Sequence, residues 1–181
     1  MSVPTASYAG NPYAAPVVAQ PVARDLPSDV VVRSLFEQGK AGAAWFYWIA
    51  GLSVINTVMI LAKAERTFAL GLGLTMITDS VAADVAFKPG GNTNVLAVAV
   101  SFDAVILGLF ILCGCLSQRR ILPIFALGML LYLLDGLLCL SLGLIVGVGI
   151  HAYALWSMGS GFWAYRRLNI VQRQISCSGK C

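Results

Sequence analysis

Asp79, Asp103, Asp135 and His151 all stand inside apolar runs of this chain. An aspartate at the centre of a membrane helix costs roughly 2.5–3.5 kcal/mol on insertion scales, so such positions carry information. A carboxylate beside an imidazole can pass a proton near neutral pH, and grouped carboxylates can hold a cation. Tyr132 joins the group through helical spacing: Gly128, Tyr132, Asp135 and Cys139 fall at 4-3-4 intervals on one stripe. Gly147, His151, Ala154, Met158 and Gly161 make a second stripe, and Thr75, Asp79, Ala82 and Ala86 a third. The candidate intramembrane polar cluster is therefore Asp79, Asp103, Asp135, His151 and Tyr132. A plainer reading competes with it: a buried Asp paired with His, Tyr or Thr can simply fix helix register.

Other chemistry finds little support. His151 is the chain's sole histidine, which excludes a His-rich metal site, and no metal ligand set or cofactor is assigned. No G-x-S-x-G nucleophile motif or C-x-x-C pair occurs, so no catalytic residue is named and an enzyme is not expected. Cys113, Cys115 and Cys139 sit in apolar segments and read as small packing residues. Cys177 and Cys181 form a C-x3-C tail, two ligands short of a structural zinc site.

The elements that must position these residues follow from composition. Of the 181 residues, 59% are hydrophobic and 11% charged, far below the ~25% charged content of soluble domains. The net charge of +4 is modest, and Lys and Arg flank the apolar runs instead of forming one face. That suits lipid headgroups, and no nucleic-acid partner is expected. The expected fold is all-α, a polytopic transmembrane helical bundle.

Residues 1–27 read as a disordered Pro-rich arm and 28–41 as a short interfacial helix, capped by Ser28 or Asp29. A transmembrane domain over 42–166 follows, with spans at about 43–62, 67–87, 95–116, 121–140 and 146–165, then a polar tail over 167–181. The run from Ile121 to Tyr165 would make one helix about 67 Å long, twice what a bilayer needs. It must break, and "SLGLIVGVG" with Gly143, Gly147 and Gly149 is the expected turn. Ser53, Asn56 and Thr57 are expected to bond to a neighbouring helix.

Five spans put Lys63, Arg66, Arg119, Arg120, Arg166, Arg167, Arg173 and Lys180 on one side, eight charges, against Arg24, Arg33, Lys40 and Lys88 on the other. The positive-inside rule then makes the C-terminus cytoplasmic and the N-terminus external. The alternative is four spans plus a re-entrant Asp79/Asp84 segment. It places both termini in the cytoplasm with nine charges against three. In the five-span arrangement the ionisable residues occupy the same half of the bilayer.

The stretches "FYWIAGLSVIN", "GMLLYLLDGLL" and "GIHAYAL" resemble small, uncharacterised multi-pass membrane proteins of bacteria, over most of residues 43–165. The resemblance implies an inner-membrane location and supplies no activity or site residue. The expected role is a non-enzymatic accessory or interaction protein, in contact with the lipid bilayer and with a membrane-protein partner or a second copy. The alternative is a small proton- or cation-coupled transporter or channel using the Asp/His cluster.

Overall fold

The computed structural model describes residues 28–62 and 71–178, and its regular structure is five helices with no strand among those residues. The expectations for the 1–27 arm, for the first residues of the 67–87 segment and for Cys181 lie outside them. The helices are α1 (Ser28–Leu61), α2 (Gly73–Ala86), α3 (Asn94–Gln118), α4 (Leu122–Ser141) and α5 (Ile145–Ser178). Asp29–Leu61, Asn94–Gln118 and Leu122–Ser141 are long and apolar enough to cross a membrane. α2 has 14 residues, about 21 Å, and is shorter than the ~30 Å hydrocarbon layer.

The bundle is apolar outside and polar within. Val98, Val105, Leu112, Leu130, Leu134 and Leu137 are exposed, while Ser53, Thr57, Thr75, Asp79, Asp103, Ser117, Asp135 and His151 are buried. Water would reverse that distribution, whereas lipid has no polar group to offer and leaves polar side chains to find one another. Spanning-length helices clad in this way are consistent with an integral membrane protein.

Two reversals share one device. At the α4–α5 turn, Leu144 N–H donates to Cys139 O and Gly143 N–H to Leu140 O, both at 3.0 Å, with Gly143 at φ 72°. This is a Schellman cap, which needs a left-handed residue just past the helix end. The break therefore falls at Gly143, and Gly147 and Gly149 continue as helix. The α3–α4 turn repeats the pattern with Arg120 at φ 64°, through Ile121 N–H to Leu116 O (3.3 Å) and Arg120 N–H to Ser117 O (2.9 Å).

The contacts also fix direction. Phe46 meets Phe110 at 6.2 Å while Thr57 meets Asp103, so α3 runs against α1. Gly42 faces Gly161 while Trp45 faces Tyr153 at 5.4 Å, so α5 also runs against α1. α4 runs against both α3 and α5, since Phe110 meets Tyr132 at 6.3 Å while Cys113 lies against Gly128, and Phe125 meets Phe162 at 5.9 Å while Asp135 meets His151. α2 runs with α1: Leu72 N–H donates to Ser53 Oγ (2.9 Å), and Thr57 and Thr78, further along each helix, converge on Asp103. Five consecutive spans would alternate, with α2 antiparallel to α1. The parallel run departs from that expectation because the start of α2 is held mid-bundle, beside Ser53 and Asp135, and not at an end.

A second departure concerns residues 28–41, which continue into the following segment as one 34-residue helix. Gly39 and Gly42 do not break it. A Cβ at Gly42 would lie 2.7 Å from Gly161 Cα, and one at Gly39 would meet the Tyr165 ring. These glycines let α5 lie directly on the α1 backbone, as small residues do between membrane helices. Gly161→Ala is expected to cost roughly 1–3 kcal/mol through forced separation. Gly51→Ala, whose added methyl meets nothing within 4 Å, should not destabilise and can gain up to about 1 kcal/mol of helix propensity. Reversible detergent unfolding of the two variants checks this.

Candidate polar sites inside the bundle

α2 begins without a cap of its own, since its N-cap residue Leu72 offers no side-chain acceptor. The free N–H groups at a helix start need partners, and lipid supplies none. Asp135, from the middle of α4, provides them: Gly73 N–H donates to Oδ2 at 2.8 Å and Leu74 N–H to Oδ1 at 2.9 Å. The approach requires Gly73, because a Cβ there would lie 2.5 Å from Cys139 Sγ. Negative charge at this position also meets the positive end of the α2 dipole.

The same carboxylate meets α5. His151 Nε2 lies 2.9 Å from Asp135 Oδ2, and His151 Nδ1 lies 2.8 Å from Gly147 O. A carbonyl only accepts, so Nδ1 carries a proton. Nε2 then faces an oxygen that already accepts from Gly73, and a second proton must sit between the two. Asp135 and His151 thus share one proton across the 2.9 Å contact. Tyr132 stacks on the imidazole at 4.3 Å between centroids and 14° between planes. Gly136 makes room, since a Cβ there would lie 3.1 Å from the His151 ring. Asp135, His151 and Tyr132 are all buried.

Asp79 and Asp103 form a separate group about two turns further along α2. Asp103 Oδ2 accepts from Thr57 Oγ1 at 3.1 Å. Thr78 Oγ1 lies 3.5 Å from Asp103 Oδ1, but its single proton has a nearer acceptor in Thr75 O at 2.9 Å. Asp79 is 1% exposed, and neither of its oxygens has a donor. Its carboxyl neighbours that of Asp103. Two acceptors bond only when a proton sits between them, and two buried carboxylates side by side require a compensating positive charge. A shared proton or a bound cation meets that need.

The five singled-out residues thus fall into two groups, Asp135 with His151 and Tyr132, and Asp79 with Asp103. No hydrogen bond joins the groups among the described residues. Asp84, also in the apolar run, turns outward and pairs with Lys88 at 2.7 Å. Sequence spacing passed over Gly73, whose missing side chain admits Asp135, and Thr78. Thr57 does bond across helices, as expected of the polar residues in that segment. Cys139 lies with Asp135 and His151, their ligand atoms all within 4.8 Å of one another. Its shared stripe with Asp135 was the signal available.

The chain was compared with family models, with curated proteins and with solved structures, and none of the three gave a match. The functional reading rests on the geometry.

Asp135→Ala and His151→Ala are each expected to cost roughly 3–5 kcal/mol, because each leaves its partner buried and unpaired. The double variant should lose much less than the sum, as contacting residues do. A double-mutant cycle in detergent measures the coupling, and additive losses would show that the pair does not interact.

Proposed function

We propose that this chain is a non-enzymatic multi-pass membrane protein that loads and releases a proton or small cation at Asp79 and Asp103. One observation supports the reading above others: a buried carboxyl, Asp79, has no donor and lies against a second carboxyl. A group placed only for stability would be satisfied, as Asp135 is; an unsatisfied one in an apolar bundle is a place for an exchangeable charge.

The proposed topology is four spans, α1, α3, α4 and α5, with α2 as a half-length helix packed among them. Parallel α1 and α2 support it. Both termini then share one side with nine Lys and Arg (Arg24, Arg33, Lys40, Arg119, Arg120, Arg166, Arg167, Arg173, Lys180) against three (Lys63, Arg66, Lys88). Positive-inside bias makes that side the cytoplasm. The resemblance of the three apolar stretches to bacterial proteins supports a bacterial inner membrane as the location. An accessory role, holding a membrane-protein partner or a second copy, is the second reading. It is favoured by the Asp135–His151 pair, whose hydrogen bonds close within the bundle as those of a structural staple do.

Proteoliposomes under an imposed proton or sodium gradient separate the two. Wild type should conduct, and Asp79→Asn should fall to the level of empty vesicles while remaining folded, because the asparagine amide can donate to Asp103. Wild type indistinguishable from empty vesicles would leave the accessory role. Topology has its own check in a chain whose other cysteines are replaced. Ser2→Cys and native Cys177 should both react with an impermeant maleimide only from the cytoplasmic side. Reaction from opposite sides would restore five spans.

A further inference from the structure

We propose that Asp135, Cys139 and His151 form a binding site for a borderline-soft first-row transition-metal ion of the zinc class. This site is independent of the Asp79–Asp103 pair and goes beyond the role proposed for it. One carboxylate oxygen, one thiol sulfur and one imidazole nitrogen, all from buried residues, lie within 4.8 Å of one another. Mixed N, S and O donors of this kind suit zinc and its neighbours and do not suit magnesium or calcium, which take oxygen alone.

The surroundings are already arranged as ligation requires. His151 Nδ1 donates to Gly147 O at 2.8 Å, which leaves Nε2 as the nitrogen turned to Asp135 and Cys139. Fixing one ring nitrogen on a backbone carbonyl is how proteins orient a metal-binding imidazole. Leu74 N–H holds Asp135 Oδ1 at 2.9 Å, so the carboxylate is oriented as well. Metal–nitrogen and metal–sulfur bonds of about 2.0–2.3 Å put tetrahedral donors roughly 3.3–3.7 Å apart, so the thiol closes by roughly 1.5 Å at most and the Nε2–Oδ2 contact of 2.9 Å opens by a few tenths of an ångström. Cys139 also borders a small crevice with Asn56, Gly71, Gly73 and Met76. Asn56 Oδ1 is buried there without a partner, an unsatisfied acceptor beside the three donors.

The charge balance suits a low-dielectric interior. Without metal, the Asp135–His151 pair with its shared proton and the Cys139 thiol sum to zero. Binding a divalent ion releases that shared proton and the thiol proton, and carboxylate, neutral imidazole, thiolate and the ion again sum to zero. No net charge enters the bundle, which removes the main penalty of placing an ion there.

Cobalt(II) is the probe, added to the full chain in detergent. Wild type should bind one ion per chain with a thiolate-to-cobalt charge-transfer band, displaced by zinc. Cys139→Ala leaves the Asp135–His151 hydrogen bonds in place and should melt like wild type. It should lose the band and weaken binding by at least the ~10–100-fold that outer-shell changes alone cost. Cys113→Ala and Asp79→Asn should bind as wild type does, which keeps this outcome separate from the flux result. A folded wild type with no band would overturn the site, as would a band that survives Cys139→Ala and disappears with Cys177→Ala.

Discussion

Asp135 is a carboxyl group buried within an apolar bundle, and its demand for partners organises the surrounding helices. It takes two N–H groups from the start of α2 and one proton from His151 on α5, all at 2.8–2.9 Å. Three helices are joined through one side chain. An isolated carboxylate in hydrocarbon would be costly, and so would the bare N-terminus of α2; each removes the other's penalty. Tyr132 and Gly136, on the same helix, then receive the imidazole by stacking and by yielding space. The position and direction of α2 follow from this anchor, because a helix begun at mid-depth beside Ser53 can only run outward alongside α1.

That direction brings Asp79 to Asp103 and gives the bundle two polar groups of opposite character. In the first, the imidazole, the carboxylate and the backbone amides satisfy one another. In the second, Asp79 lacks any donor, and only a proton or a cation can complete it. Membrane helices tolerate buried charge when it is paired. The completed pair and the incomplete one lie about 9 Å apart along a single short helix, and the proposed charge exchange rests on the second alone.

Much of this was legible in the chain. A 3.6-residue period places Tyr132, Asp135 and Cys139 on one stripe and His151 on the next, and a glycine turn between them makes contact between Asp135 and His151 nearly obligatory. Helix class and the boundaries of α3 and α4 follow from apolar run length and differ by only a residue or two at either end. The direction of α2 was not legible. Hydropathy has no sense of direction, and a run of about 20 apolar residues satisfies the length rule for a span whether or not its helix covers that length. Grouping all five residues also overreached, since equal depth in the bilayer does not imply the same side of the bundle. The continuity of residues 28–41 with the following helix was not legible either, because Gly39 and Gly42 serve close packing against α5, and the absence of a side chain serves packing as readily as it serves a turn.

The incomplete pair is the centre of the functional reading, and its charge can be observed directly. Infrared difference spectroscopy of the purified protein in choline buffer, free of small metal cations, detects a carboxyl that holds its proton in an apolar site. Wild type should show such an absorption at neutral pH, lost in both Asp79→Asn and Asp103→Asn and retained in Cys139→Ala. A spectrum with no protonated carboxyl, unchanged by either aspartate substitution, would contradict a shared proton or exchangeable cation at Asp79 and Asp103.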